Sequence, residues 1–235
     1  MTITIIPVRG IPEVREGDEL AHLIADAAAA EGTPLADGDC VVVTQKVVSK
    51  VEGRVVALEA DDPAARRTLV ESESRRVLRR RGELLITETA HGWVCANAGI
   101  DLSNVEHGHA ALLPIDSDRS ARHVRDALRA RAGVETAVVI SDTFGRAWRT
   151  GLTDVAIGVS GLAAVVDLRG QRDTLGRELQ VTEVAVADEV AGAAELVMGK
   201  ATGVPAVIVR GLDAAWFREA TARELVRAPS EDLFR

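Results

Sequence analysis

What most constrains this chain is a set of short, strongly apolar runs separated by helical stretches. Val41-Val42-Val43, residues 136–140 and residues 206–210 consist mainly of β-branched and small side chains bounded by polar residues. Runs of that length fit buried strands. Residues 2–7 alternate in β-branched residues and read as a further strand, as do 83–87, 93–96, 155–159 and 163–168. Helices are expected over 18–30, ended by Gly32 and Pro34, over 120–132, and over 182–198, closed by Gly199. Asp62-Pro63 reads as a helix start, with an exposed charged helix running on to Arg81. The Arg79-Arg80-Arg81 end would suit the negative pole of its dipole, a nucleic-acid patch being the alternative. Residues 97–109 read as a loop. The expected class is α/β, or a mixed α+β arrangement, with the strand order left open by the pattern.

Composition narrows the function. Of 235 residues, 47% are hydrophobic, too many for a disordered chain. No apolar run approaches the ~20 residues of a membrane-spanning helix, and residues 1–9 lack the features of a signal peptide. Cys40 and Cys95 are too few for a disulfide framework or a Cys-based zinc site, and both read as buried small hydrophobes. His107 and His109 give only weak zinc spacing. A cytoplasmic globular protein is expected. The net charge of −8 speaks against nucleic acid as a partner, and 3% aromatic residues with no Tyr speak against base stacking.

Residues able to carry chemistry concentrate in a few places. Residues 97–104 follow a strand, and Asp101 and Asn104 could face one ligand or cap their own backbone in an Asx turn. Ser141-Asp142-Thr143 ends an apolar strand, where a carboxylate and a hydroxyl suit a hard cation such as Mg²⁺ or Mn²⁺. Arg146 and Arg149 follow, placed to neutralise phosphate. The competing reading is a helix cap beside solvated arginines. Residues 169–178 form a charged loop between glycines, suited either to close ligand approach or to a plain surface turn. Lys46 and Lys50 follow the Val-rich strand and offer mobile positive charge. Gly199-Lys200 resembles the end of a Walker-type loop but fails it, because Ala201 stands where Ser or Thr is needed.

Taken together, these blocks resemble the coenzyme F420-0:L-glutamate ligase (F420 γ-glutamyl ligase) family. The matching stretches are Gly10-Ile11-Pro12 with Gly17-Asp18, residues 44–53, residues 97–104, and residues 141–146 with Gly151. Residues 169–178, and 187–189 through Met198-Gly199 to Pro205 and Arg210-Gly211, complete the series. The resemblance runs over about residues 5–212, implying a ligase domain over 1–212 and a tail or linker over 213–235. It implies an unusual two-part fold with mixed sheets and an intertwined homodimer. The implied reaction is a GTP-dependent amide ligation. L-Glutamate joins F420-0, or its dehydro relative, through an acyl phosphate, and GDP and phosphate leave. The resemblance places GTP contacts at Gly10, Ile11, Pro12, Glu13, Gln45, Lys46, Lys50 and Asn104, and along Leu196, Val197, Met198, Gly199, Lys200, Ala201, Thr202 and Gly203. It places metal ligands at Asp101, Asp142 and Thr143, with a backbone ligand near Met198, and it implies Mg²⁺ or Mn²⁺ with K⁺ assisting. Asp101, Asp142 and Arg146 are the expected catalytic residues. The same constellation would also serve a metal-dependent GTP phosphohydrolase or a non-catalytic nucleotide-binding module. In some actinobacterial relatives the ligase domain is fused to a flavin-binding, nitroreductase-like domain, and residues 232–235 resemble that junction. The resemblance thus implies either a stand-alone ligase or the ligase part of such a fusion.

Overall fold

The computed structural model describes residues 2–58 and 62–233. In chain order the elements are β1 (Thr4–Val8), α1 (Leu20–Ala30), β2 (Cys40–Thr44), α2 (Gln45–Val51), β3 (Val55–Ala57), α3 (Pro63–Ser72), β4 (Ser74–Arg81), β5 (Leu84–Thr89) and β6 (Val94–Ala96). They continue as β7 (His109–Ala111), α4 (Ser117–Ala132), β8 (Ala137–Arg146), β9 (Arg149–Ser160), β10 (Val166–Asp167), β11 (Glu183–Val184), α5 (Val186–Met198) and β12 (Ala206–Arg210).

The apolar runs assemble into one mixed sheet in the order β1-β12-β2-β8-β9. β2 and β8 are parallel, and the remaining pairs are antiparallel. Successive side chains point to opposite faces, and here both faces are buried. Val41, Val43, Val138, Ile140 and Ile208 pack with α1, α2 and α4. Cys40, Val42, Val139, Val207 and Val209 pack with α5. This two-sided burial is why the strands read as continuous Val and Ile runs without polar alternation. Both cysteines are free and buried, as expected. The fold is α/β with mixed sheets. Among the described residues no helix is long and apolar enough to cross a membrane.

A smaller sheet, β4-β5-β6, packs with α3 around Val70, Leu85 and Ala98. Here the expected charged helix to Arg81 is corrected. Asp62 caps α3 by accepting from the amides of Ala64 and Ala65, but the helix stops at Ser72. Residues 74–81 instead form an antiparallel edge strand against β5. Its arginines are held by acids, Arg76 across the sheet by Glu88 at 2.8 Å and Arg80 by Glu71 of α3 at 3.3 Å. Charge density does not distinguish an exposed helix from an edge strand, and charged side chains are a common way to blunt such an edge.

Other boundaries also move. β8 runs through Ser141-Asp142-Thr143 to Arg146, so these residues lie in a strand and do not cap a helix. β9 begins at Arg149, well before the expected 155. Of the expected strand over 163–168, only Val166–Asp167 pairs. β7 starts at His109, the last residue of the expected loop, and pairs with β3. The tail holds three 3-10 turns, Ala214–Trp216, Ala222–Leu225 and Pro229–Glu231. Ala222 is buried, and Trp216, Phe217 and Leu225 pack on the α5 side of the sheet. Phe234 and Arg235, part of the junction-like ending, lie outside the described residues.

The edge of the main sheet is pinned by Asp39, which is fully buried. Its carboxylate accepts from Arg210 Nε at 2.8 Å and Nη2 at 2.7 Å, and from the Ala36 amide. Arg210→Ala would leave that charge without its guanidinium and is expected to cost about 2 kcal/mol. Urea unfolding measures this, and a loss below about 0.5 kcal/mol would place the pair among neutral surface contacts.

Candidate active site

A cleft of about 470 Å³ opens where the C-terminal end of β2 and the middle of β8 meet the loop after α5. Three segments supply most of its polar groups.

The first is the turn after β6. Asn97, Ala98 and Gly99 all have positive φ (49°, 56° and 71°), which reverses the chain. Gly99 is needed here because a Cβ would stand 2.8 Å from the Leu113 side chain. Paired backbone bonds between Asp101 and Ala111, at 3.0 and 2.8 Å, then fix Asp101. Its Oδ1 accepts from the Ser103 amide at 2.7 Å, which is the Asx turn. Its Oδ2 lies 2.8 Å from Lys46 Nζ. Capping and site readings therefore both hold, one on each oxygen. Burial works against the charge, but the hydrogen bonds from Lys46 and Ser103 outweigh it and hold the carboxyl below its usual range.

The second segment is the β8–β9 hairpin. Adjacent strand residues face opposite ways. Ser141 and Thr143 both turn to Asp154, across on β9, donating to its two carboxylate oxygens at 3.0 and 2.7 Å. Asp142 faces the other way. Burial pushes its carboxyl up to about 7. The Thr143 amide opposes this, the charges of Asp101 and Asp154 add to it, and Lys46 offsets part.

The third is the loop after α5. The helix ends at Met198, so its negative pole borders the cleft. Lys200 Nζ sits 2.7 Å from Thr143 Oγ1, 3.0 Å from Asp154 Oδ1 and 3.1 Å from Glu195 Oε1. Burial opposes its charge, but Asp154 and Glu195 hold the ammonium above its ordinary range.

Most of the expected residues meet in this cleft. Ile11, Pro12, Glu13, Gln45, Lys46, Lys50, Asp101, Asn104, Asp142, Thr143 and Met198 line it, as do Gly199 to Gly203. Lys50 Nζ is 2.5 Å from Glu13 Oε1. Gln45 is buried, its amide donating to Ser49 Oγ and the Leu112 carbonyl, which gives it a structural task. Gly10 turns the chain just ahead of the lining with φ 76°. Leu196 is 78% exposed and Val197, also on α5, packs against the core, so neither lines the cleft. Arg146 also stands outside the lining, donating to the Thr150 carbonyl within its own hairpin. Residues 169–178 form a surface turn away from the cleft, tied by Arg172 to the Gly176 carbonyl. Ser141, part of the polar block singled out in the sequence, also lines the cleft, and Asp154 is a lining residue that sequence reasoning missed. The available signal was an acid, Asp154, set directly against the apolar 155–159 run.

Among the described residues, no three His, Cys, Asp or Glu side chains stand at metal-ligating spacing. The donor chemistry nevertheless suits a hard cation. Asp101, Asp142, Thr143 and Asp154 all line the cleft, and every candidate ligand among them is oxygen.

The sequence matches the pattern of the F420-0:Gamma-glutamyl ligase family over residues 10–211. It is 45% identical over 251 aligned residues to the coenzyme F420:L-glutamate ligase of Methanothermobacter thermautotrophicus, covering 100% of both chains. The enzyme of the same name from Methanopyrus kandleri is 44% identical over 252 residues, covering 100% of this chain and 98% of the relative. That of Archaeoglobus fulgidus is 40% identical over 249 residues, covering 100% and 97%. On this match of 10–211 and on similarity along its whole length, the chain belongs to the F420-0:γ-glutamyl ligase family.

Proposed function

We propose that the chain joins L-glutamate to coenzyme F420-0 in a GTP-dependent amide ligation and acts as a homodimer. The observation that carries this reading is a cleft that gathers Lys46, Lys50 and Lys200 around Asp101, Asp142 and Asp154. It offers positive charge for phosphates beside carboxylates for a cation. The names of the relatives support the choice of substrates.

A carboxylate is a poor electrophile, and taking the γ-phosphoryl group of GTP makes it an acyl phosphate that the glutamate amine can open. Asp101, Asp142, Thr143 and the Met198 carbonyl would hold Mg²⁺ or Mn²⁺, which would supply charge neutralisation for the phosphates. Lys46, Lys50 and Lys200 neutralise the remaining phosphate charge. Ile11, Pro12, Val14 and Val204 give the cleft apolar walls, which limit the water that would hydrolyse the activated acid. Trp148 and Leu152, near the tip of the β8–β9 hairpin and 87% and 68% exposed, provide apolar surface for a second copy.

Incubation with GTP, Mn²⁺, L-glutamate and F420-0 is expected to give F420 species heavier by whole glutamyl units, in step with GDP. Phosphate release without glutamate or F420-0 would favour a phosphohydrolase. Binding of GTP with no turnover would favour a non-catalytic nucleotide module.

A further inference from the structure

Two cleft lysines are seated on the oxygens that a cation would use. Lys46 Nζ is 2.8 Å from Asp101 Oδ2 and 2.6 Å from Ser103 Oγ. Lys200 Nζ is bound to Thr143 Oγ1 and Asp154 Oδ1, with Glu195 Oε1, outside the ligand set, as a further partner at 3.1 Å. The third cleft lysine differs. Lys50 pairs with Glu13, whose side chain is 75% exposed and lies outside the candidate ligand set.

We propose that Lys46 and Lys200 are exchangeable counter-ions. The ammonium groups that hold Asp101, Thr143 and Asp154 pass to the phosphates of the nucleotide when a divalent cation takes those oxygens. Asp154 thereby joins the site as the resting partner of Lys200. This rests on the nucleotide reading given above.

The physical basis is competition followed by linkage. An ammonium and a divalent cation seek the same carboxylate lone pairs, and at these partly covered pairs the doubly charged ion has the stronger attraction. A released ammonium, tethered at the cleft, then faces phosphate oxygens with its site carboxylate gone, Lys200 keeping only Glu195. Each ligand thus removes an obstacle to the other, and such coupling is reciprocal by thermodynamic necessity. A lysine paired outside the ligand set adds positive field but takes no part in the exchange. That sets Lys50 apart from the other two.

The test uses the full chain and two readouts besides turnover, Mn²⁺ titration followed by electron paramagnetic resonance and binding of fluorescent GDP. Without nucleotide, Lys46→Met and Lys200→Met are each expected to tighten Mn²⁺ by about five- to tenfold. Both should weaken GDP about tenfold in the presence of Mn²⁺ and reduce the factor by which Mn²⁺ improves GDP binding. Lys50→Met should weaken GDP while leaving Mn²⁺ affinity within about twofold, since its partner is not a cation ligand. Circular dichroism and melting curves check that all three variants fold, and the two exchange lysines test the idea independently. If Lys50→Met tightens Mn²⁺ as much as the others, a uniform field is at work and the exchange is wrong. Unchanged Mn²⁺ affinity in both Lys46→Met and Lys200→Met also overturns it. A wild-type chain that binds Mn²⁺ but no GDP removes the handover together with the nucleotide reading. A chain that binds both, with additive variants, removes the exchange alone.

Discussion

Asp142→Asn is expected to abolish ligation, by about a thousandfold or more, and at the same time to raise the melting temperature at neutral pH in metal-free buffer. The activity loss follows from removing a carboxylate from the centre of the cleft, where its charge is the natural partner of a cation. The stability gain follows from the cost of holding that charge. Burial, with Asp101 and Asp154 nearby, pushes the folded carboxyl up to about 7 from 3.8. Below about pH 4 both folded and unfolded chains keep this proton, and the group costs nothing. As the pH rises from about 4 to 7 only the unfolded chain releases it, so the folded state loses ground, and above about 7 the penalty is constant. Its full size is on the order of 2 to 4 kcal/mol. An asparagine amide carries no such penalty. The melting-temperature advantage of the variant should therefore be absent near pH 4, grow towards pH 7 and then level off. At about 2–4 °C per kcal/mol for a chain of this size it is easily measured. An advantage that is flat with pH, or activity near wild type, would show that Asp142 is not the buried charged group of the site.

The contrast between what was legible in the sequence and what was not has a physical pattern. β2, β8 and β12 could be read because both faces of the sheet are covered, which leaves unbroken Val and Ile runs. β4 could not, because an edge strand over a small core keeps only Val77 and Leu78 among its arginines. The site divides in the same way. Asp101 and Asp142 stand in short polar blocks that follow apolar runs, a local signal. Asp154 sits in a strand, and its meaning comes only from pairing, since antiparallel register sets it directly opposite Thr143. Lys200 likewise meets Thr143 only because α5 returns its C-terminus to the same sheet edge. Arg146 shows the converse. Proximity in sequence suggested a site residue, but a strand that runs on for four residues past Asp142 carries it out along the hairpin.

Gly158→Ala is expected to destabilise the protein by about 3 kcal/mol, more than most single surface or core changes. The reason is the contact between β9 and the first turn of α4. A Cβ on Gly158 would lie 2.3 Å from the Ser117 carbonyl oxygen, 2.6 Å from its carbon and 2.8 Å from its Cβ. The clash is mainly with backbone, so no side-chain rotamer relieves it. Nor can α4 simply withdraw. Asp118 Oδ1 accepts from the Val159 amide at 2.9 Å and from the Ala222 amide at 2.8 Å, tying the helix start to β9 and to the tail. Pushing α4 outward would break those bonds and open the packing of Ala121, Val124 and Leu128 on the sheet. Gly145→Ala is the matched control. It lies in the neighbouring strand β8, has nothing within 4 Å of its Cβ position and has no positive φ. It should change stability by less than about 0.5 kcal/mol. Urea unfolding of both variants decides the matter, with soluble yield as a second measure. Equal stability would mean that α4 can slide on β9 at little cost. The same displacement would then be available to Asp154, four residues earlier on that strand, and the cleft would have to be regarded as adjustable rather than fixed.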